Sequence, residues 1–118
     1  MECSRAIEKI ATALSEYFKK RAPQAAEYIE ITGQPEVKVA LRAIALYYER
    51  DEEALYLEDL IEALGSRKVF EYLRDNVGWR LVEIEGEKYV AIPSVDYLRY
   101  INMPPELFKN LLEKYCSQ

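Results

Sequence analysis

The cations in the middle of the chain are the residues most suited to chemistry, because they lie close together in the segment 65–80. They are Arg67, Lys68, Arg74 and Arg80, and the acids among them are Glu71 and Asp75. The preceding segment, 48–64, is strongly acidic, and the whole chain carries a net charge of −5. Clustered cations of this kind bind phosphate groups, as in the backbone of a nucleic acid. The alternative is an ordinary solvated helix face.

Catalytic chemistry is not indicated anywhere in the chain. The paired carboxylates, Glu52–Glu53 and Glu58–Asp59, are adjacent, so on a helix their side chains diverge by about 100°. The chain has no histidine and two cysteines, too few for a structural zinc site or a nucleophile–histidine pair. Its four glycines are scattered and form no phosphate-binding loop. We therefore expect no enzyme, no metal site and no cofactor.

The two cysteines, Cys3 and Cys116, lie near opposite ends of the chain. We expect free thiols in a reducing compartment, with a clip between the termini as the alternative. The N-terminal residues lack the apolar core of a signal peptide, and the longest apolar run, 43–48, is too short for a membrane span. The sequence therefore predicts a soluble cytoplasmic protein with no membrane partner. Its few Asn and Gln residues and lack of His are typical of a thermophile.

The 118 residues suit a single domain, 1–118, and half of them are apolar, enough for a core. Ser4 is a candidate cap for a first helix, and Pro23 predicts the start of a second, which Gly33 ends. Flanking helices therefore cover about 4–32. From Pro35 to Glu49 the apolar residues lie on nearly all sides, which predicts a central buried helix.

The next segment predicts a helix at 58–64, a turn at Gly65, and a helix at 66–77 capped by Ser66. A β-hairpin follows at 80–92. We expect Val82 to pair with Val90 across a three-residue loop, 85–87, with Lys88 near the tip. In that register, one face carries Val82, Ile84, Val90 and Ile92. The last elements are a short helix or continued strand from Ser94 and a helix from about Pro105 to Cys116, so flanking helices also cover about 94–116.

The motif Leu57-Glu58-Asp59-Leu60, the Leu64-Gly65 turn, Val69, Leu73 and Gly78-Trp79 together resemble the winged helix-turn-helix superfamily. The resemblance covers about half of the chain. It implies a mostly α fold with a small β-hairpin (α+β), in which a winged-helix core at about 35–92 carries extra N- and C-terminal helices. It also implies that helix 66–77 is the recognition helix, lying in the major groove of double-stranded DNA.

The resemblance assigns roles to the polar residues of this segment. Arg67 would pair with guanine, Glu71 would lie one helical turn further on, and Ser66 and Lys68 would hold phosphate. Arg74 and Arg80 would contact the DNA backbone, and Lys88 would reach a neighbouring groove. The implied DNA-binding residues are Ser66, Arg67, Lys68, Glu71, Arg74, Arg80 and Lys88.

Two functions remain open at this point. The first is a DNA-binding transcriptional regulator, with a homodimer through the apolar stripes of the terminal helices. The second is a winged-helix module that binds a protein partner in a larger assembly without touching DNA. The acidic hairpin, with Glu83, Glu85 and Glu87, and the net charge of −5 favour the second.

Overall fold

The computed structural model describes residues 1–117 and contains six α-helices and three strands. The helices are α1 (Cys3–Thr32), α2 (Leu41–Ala45), α3 (Leu57–Ala63), α4 (Ser66–Tyr72), α5 (Ser94–Tyr100) and α6 (Pro105–Glu113). The strands are β1 (Glu36–Ala40), β2 (Arg80–Ile84) and β3 (Glu87–Pro93). A π-helical turn, Leu73–Val77, continues α4, and a 3₁₀ turn, Lys114–Ser117, continues α6. The predicted class, mostly helical with a small amount of β structure, is confirmed.

Helix α1 runs through Pro23 without a break, so the prediction of two helices before residue 33 was wrong. Proline removes the hydrogen bond to the carbonyl of Lys19, but Lys19 and Pro23 are both exposed, where water can satisfy that carbonyl. The apolar stripe continues across the proline, with Ala22 buried just before it and Ile29 buried after it. Gly33, in the left-handed region with φ 65°, ends the helix as predicted. None of the helices within residues 1–117 has the combination of length and apolar character that a bilayer crossing requires.

The central helix predicted at 35–49 was also wrong, because its first part is strand β1 and only Leu41–Ala45 is helical. Strand β1 pairs antiparallel with β3, placing Val37 opposite Ile92 and Val39 opposite Val90. The three strands form a sheet in the order β1-β3-β2. The alternation of Val37 and Val39 with polar neighbours suits a half-buried strand, and pairing with β3 overrides the helical periodicity.

The hairpin forms at 80–92 as predicted, but its register differs by one residue. Strand β2 pairs with β3 so that Leu81 faces Val90 and Ile84 faces Glu87. The loop is Glu85-Gly86, with φ of 52° and 81°, the two positive values of a type I′ turn. The twist of a type I′ turn matches the twist of the two strands that it joins. This match favours the two-residue loop over the three-residue loop that we expected. Because one step of register exchanges the faces, Leu81 shares a face with Val90 and Ile84 lies on the opposite face, and both side chains remain exposed, at 39% and 42%.

The core lies between α1 and the elements that follow the sheet. Phe18 of α1 is fully buried, with its ring centroid 5.1 Å from Tyr97, 5.2 Å from Tyr100 and 5.5 Å from Phe108. Trp79 packs on Tyr100, and its indole Nε1 donates to the Tyr100 hydroxyl at 3.3 Å. These contacts attach the start of β2 to α5. Of the two alternatives that the sequence left open after Ser94, the helix is confirmed as α5 and the continued strand is not found.

The cysteines are joined in a Cys3–Cys116 disulfide, with the two Cα atoms 5.7 Å apart, so the expected free thiols are incorrect. The bond forms because α6 packs along α1. That packing brings the first turn of α1 next to the turn that follows α6. The terminal clip, which the sequence left as the alternative, is the arrangement found.

Candidate nucleic-acid interface

Helix α4 presents a polar face because its apolar residues turn inward. Val69 and Tyr72 of α4 and Leu73 of the π-helical turn are buried, whereas Arg67 of α4 and Arg74 of the turn are exposed. The helix begins at Ser66 after Gly65, which has a φ of 85°, and no side chain caps it. The predicted Ser66 cap is therefore wrong, and the sharp turn comes from the glycine.

A shallow groove of about 510 Å³ lies between α4 and β2, and we call it the α4–β2 groove. Its lining residues are Ser66, Arg67, Phe70, Glu71, Arg74, Arg80 and Leu81. Five of the seven residues implied by the resemblance therefore meet in one place, the exceptions being Lys68 and Lys88. A groove flanked by a helix and a strand, and carrying guanidinium groups from both, can accept a phosphate chain or an acidic peptide.

Lys68 and Lys88 lie elsewhere. Lys68 lines a second cleft, of about 590 Å³, on the side of α4 that faces the disulfide. Lys88 sits opposite Glu83 in the hairpin, and lines a separate depression with Arg42 and Glu58. Neither lysine lines the α4–β2 groove. A partner bound in the groove would reach these lysines only if it extended beyond the groove.

Each arginine of the α4–β2 groove faces a carboxylate within salt-bridge distance. Arg67 Nε lies 3.2 Å from Glu71, Arg74 Nε lies 2.9 Å from Asp75, and Arg80 Nη2 lies 2.8 Å from Glu36. These are exposed pairs, and the Arg67 side chain is 93% exposed. Exposed pairs of this kind contribute about 0–1 kcal/mol each, so a phosphate group can replace the carboxylate at little cost.

The pairing also affects titration within the groove. The hydrogen bond from Arg74 holds the pKa of Asp75 below its ordinary value, and the same contact raises the pKa of Arg74. Asp75 therefore stays ionised at neutral pH and competes with any anionic ligand for Arg74. The groove lining carries three arginines and one glutamate, and the salt-bridge partners Asp75 and Glu36 offset the remaining positive charge, unlike the purely basic surface of many nucleic-acid binders.

Glu36 is the contributor that the sequence analysis missed. Glu36 lies in the segment that the sequence predicts as a helix, and that prediction gives it no contact with Arg80 of the hairpin. The signal was present in the alternation Glu36-Val37-Lys38-Val39, which is typical of a strand with one polar face. Within residues 1–117, no group of three or more His, Cys, Asp or Glu side chains is arranged to hold a metal ion.

Comparison with known proteins gives no match, whether with protein-family models, with curated proteins or with solved structures.

Proposed function

We propose that the chain is a winged-helix protein that binds duplex DNA and acts as a transcriptional regulator, with α4 as the recognition helix and the β2–β3 hairpin as the wing. The observation that carries this is the convergence of Ser66, Arg67, Glu71, Arg74 and Arg80 on the α4–β2 groove. The element order gives further support, because a helix pair joined by a tight turn is followed at once by a hairpin. Strand β1 anchors that hairpin in a three-stranded sheet.

In this proposal the residues divide the work between base and backbone. Arg67, at the start of α4, pairs with a guanine edge in the major groove, and Glu71 accepts from a cytosine amino group. Ser66, Arg74 and Arg80 contact phosphate, which fixes the position of the helix. Lys68 contacts the phosphates on the other side of α4, and Lys88 contacts those nearest the hairpin.

The surrounding carboxylates set the strength of binding. Glu83, Glu85 and Glu87 on the hairpin repel phosphate, and Glu71, Asp75 and Glu36 must give up their arginine partners. Non-specific affinity is therefore lower than that of a purely basic surface but measurable at low salt, where phosphate contacts are strongest, and base contacts at a specific site add to it. A homodimer through the terminal helices is left out of the proposal, because their apolar stripes, including Phe18 and Phe108, are buried within the chain itself.

A second candidate function is a protein-binding module, and the groove itself favours it. Phe70 and Leu81 line the groove between the charged residues, and Leu81 is 39% exposed. A groove with apolar contacts and balanced charges suits a protein segment of mixed charge. The apolar stripe of α6, including Phe108 and Leu112, is buried within the chain itself.

The test is fluorescence anisotropy with a labelled duplex of random sequence, titrated across salt concentration. The variants Arg67→Glu and Arg74→Glu each exchange a groove cation for an acid. The matched control is Arg99→Glu, which makes the same charge change at an exposed, ion-paired arginine of α5 outside the groove. We expect at least tenfold weaker binding for the groove variants, little change for the control, and a salt slope lower by about one for Arg74→Glu.

If all three variants lost the same amount of DNA affinity, binding would depend on net charge alone, and the assigned interface would be overturned. No binding by the wild-type chain at low salt would overturn the DNA proposal. The second candidate would then be tested by capture of protein partners with the wild type and with Leu81→Glu.

A further inference from the structure

The C-terminal turn, Lys114–Ser117, touches the joint between α3 and α4. The Tyr115 hydroxyl donates a hydrogen bond to the backbone carbonyl of Leu64. Its ring packs edge-on against Tyr72 of α4, with the centroids 5.6 Å apart. One side chain of this turn therefore contacts both the residue that ends α3 and the buried face of the proposed recognition helix.

The joint itself is very short, so a contact at Leu64 acts directly on the angle between the two helices. Helix α3 closes with Leu64, Gly65 makes the turn, and α4 begins at Ser66. The first hydrogen bond of α4 runs from the Val69 amide to the Gly65 carbonyl at 2.9 Å. A Cβ atom at Gly65 would lie 3.6 Å from the Tyr115 hydroxyl oxygen, which places that hydroxyl directly against the turn.

Packing of the C-terminal turn against the core is only partial, with Tyr115 and Cys116 half-buried. The turn fully buries none of its residues, whereas α6 just before it is anchored by Phe108 and Leu112, which are 0% and 5% exposed. Cys116, the neighbour of Tyr115, is tied to Cys3 in the first turn of α1. The disulfide therefore adds a covalent restraint to the contacts that hold Tyr115 on the joint.

The disulfide is also within reach of a reductant. Cys3 and Cys116 are half-buried and line the open cleft of about 590 Å³ beside α4, together with Lys68 and Asp75. Disulfides that border an open cleft can exchange with thiols, whereas deeply buried ones are protected.

We propose that the Cys3–Cys116 disulfide is a redox-controlled clamp on the joint between α3 and α4. In the oxidised chain the clamp holds Tyr115 against Leu64 and fixes the orientation of α4. In the reduced chain the C-terminal turn detaches and α4 gains freedom. The effect of the clamp on DNA affinity rests on the function proposed above, but the clamp itself does not.

Opening the clamp requires a dithiol reductant. One thiolate of the dithiol attacks a sulfur of the disulfide, so the bond between Cys3 and Cys116 breaks as a mixed disulfide forms, and the departing thiolate takes up a proton. The second thiol of the reductant then displaces the other cysteine and closes its own disulfide. Two electrons pass to the protein, and each cysteine ends as a protonated thiol.

The first test is amide hydrogen exchange, comparing the oxidised chain with the chain reduced by dithiothreitol. We expect the Val69 amide to exchange about tenfold faster after reduction, the change that loss of one hydrogen bond would produce. The amide of Val90, in the central strand, reports on the stability of the whole molecule and should be affected less. Equal protection of Val69 in both forms, or equal acceleration of Val69 and Val90, would overturn the proposal.

The variant Tyr115→Phe keeps the test decisive if the reduced chain does not stay folded. This variant retains the disulfide and loses only the hydroxyl that contacts Leu64. We expect it to accelerate exchange at Val69 while the disulfide is intact, and an unchanged rate would overturn the proposal. The matched control is Tyr89→Phe, whose hydroxyl contacts Glu87 in the hairpin instead of the joint.

DNA binding separates the clamp from the proposed function. If the oxidised chain does not bind duplex, the DNA proposal fails while the exchange result still decides the clamp. If the chain binds DNA equally well in both redox states, the clamp does not control the interface and that part of the proposal is overturned. We expect weaker binding by the reduced chain, because a mobile α4 must be reordered on binding.

Discussion

Arg80 and Glu36 join the two outer strands of the sheet across the central one. The Arg80 Nη2 atom lies 3.1 Å and 2.8 Å from the two carboxylate oxygens of Glu36, although the residues are 44 positions apart in the chain. Ala91 of β3 pairs with Arg80 on one side and with Lys38 on the other, and it is 1% exposed. The small side chain of Ala91 leaves room for the arginine to reach across to β1. The same arginine lines the α4–β2 groove.

The first prediction concerns the release of Arg80 from Glu36. The variant Glu36→Gln removes a carboxylate that competes with phosphate, so DNA affinity should rise severalfold at low salt. The pair is partly exposed, with side-chain values of 55% and 33%, so the free energy of unfolding should change by less than about 1 kcal/mol. Anisotropy and urea unfolding measure the two quantities.

The matched control for this variant is Asp96→Asn, which removes the carboxylate partner of Arg99 on α5. Both variants change the net charge equally. If they strengthened binding by the same factor, the gain would come from overall charge, and Arg80 would have no special part in binding DNA.

The second prediction tests the end of the π-helical turn. Gly78 has a φ of 83°, and its amide donates to the Leu73 carbonyl. A Cβ atom at Gly78 would meet nothing within 4 Å, so any cost of substitution comes from the backbone conformation. We expect Gly78→Ala to lower the free energy of unfolding by about 1–2 kcal/mol. Gly78→Asn should cost less, because asparagine tolerates this region; equal stability of all three chains in urea would contradict the assigned cap.

The third prediction compares two buried tyrosines. The Tyr100 hydroxyl accepts a hydrogen bond from the Trp79 indole. Among the residues that the structure describes, the Tyr97 hydroxyl makes no hydrogen bond of good geometry, although Tyr17 lies near enough to interact with it. Tyr100→Phe should therefore cost about 1–3 kcal/mol, since it leaves the buried indole N–H unpaired. Tyr97→Phe should be close to neutral; a larger loss for Tyr97→Phe in thermal or urea unfolding would reverse this assignment.

The fourth prediction concerns acid stability. The Asp51 carboxylate accepts from the Glu53 amide at 2.9 Å and contacts Lys9 and Arg5, and these interactions hold its pKa below the ordinary value. Because the pKa of Asp51 is lower in the folded chain than in the unfolded chain, its ionised form stabilises the fold. This stabilisation is complete above the unfolded-state pKa of about 3.9 and is lost as the pH falls through the folded-state pKa.

The variant Asp51→Asn should therefore lose stability at neutral pH and show a flatter decline below about pH 4. Urea midpoints measured from acid to neutral pH test this. The control is Glu52→Gln, at a neighbouring exposed carboxylate. Parallel pH curves for the wild type and Asp51→Asn would show that Asp51 has no part in the acid transition.

Local signals were sufficient for the second half of the chain. The helix pair was predictable from the apolar spacing of Leu60, Val69 and Leu73 and from the helix ends at Gly65 and Gly78. Each of these signals depends on residues within one or two helical turns. The hairpin was also predictable, and only its register was not. There the deciding factor is the fit between turn twist and strand twist, which outweighs the pairing of Glu87 with Ile84.

The first half depended on partners that are distant in sequence. Val37, Leu41 and Ile44 satisfy the spacing of a helix, yet β1 forms because β3, some fifty residues later, offers it a partner. The ion pair between Glu36 and Arg80 follows from the pairing of β1 with β3, and it could not be predicted without that pairing. The disulfide has a sequence separation of 113, so its formation depends on the packing of α1 against α6.

The bond between Cys3 and Cys116 closes the polypeptide between these two residues into a covalent ring. A protease that cuts one peptide bond inside such a ring opens it without releasing a fragment, because the two pieces remain joined through sulfur. A second cut is needed before any part can diffuse away. The oxidised chain therefore tolerates a single nick that would divide a linear chain in two.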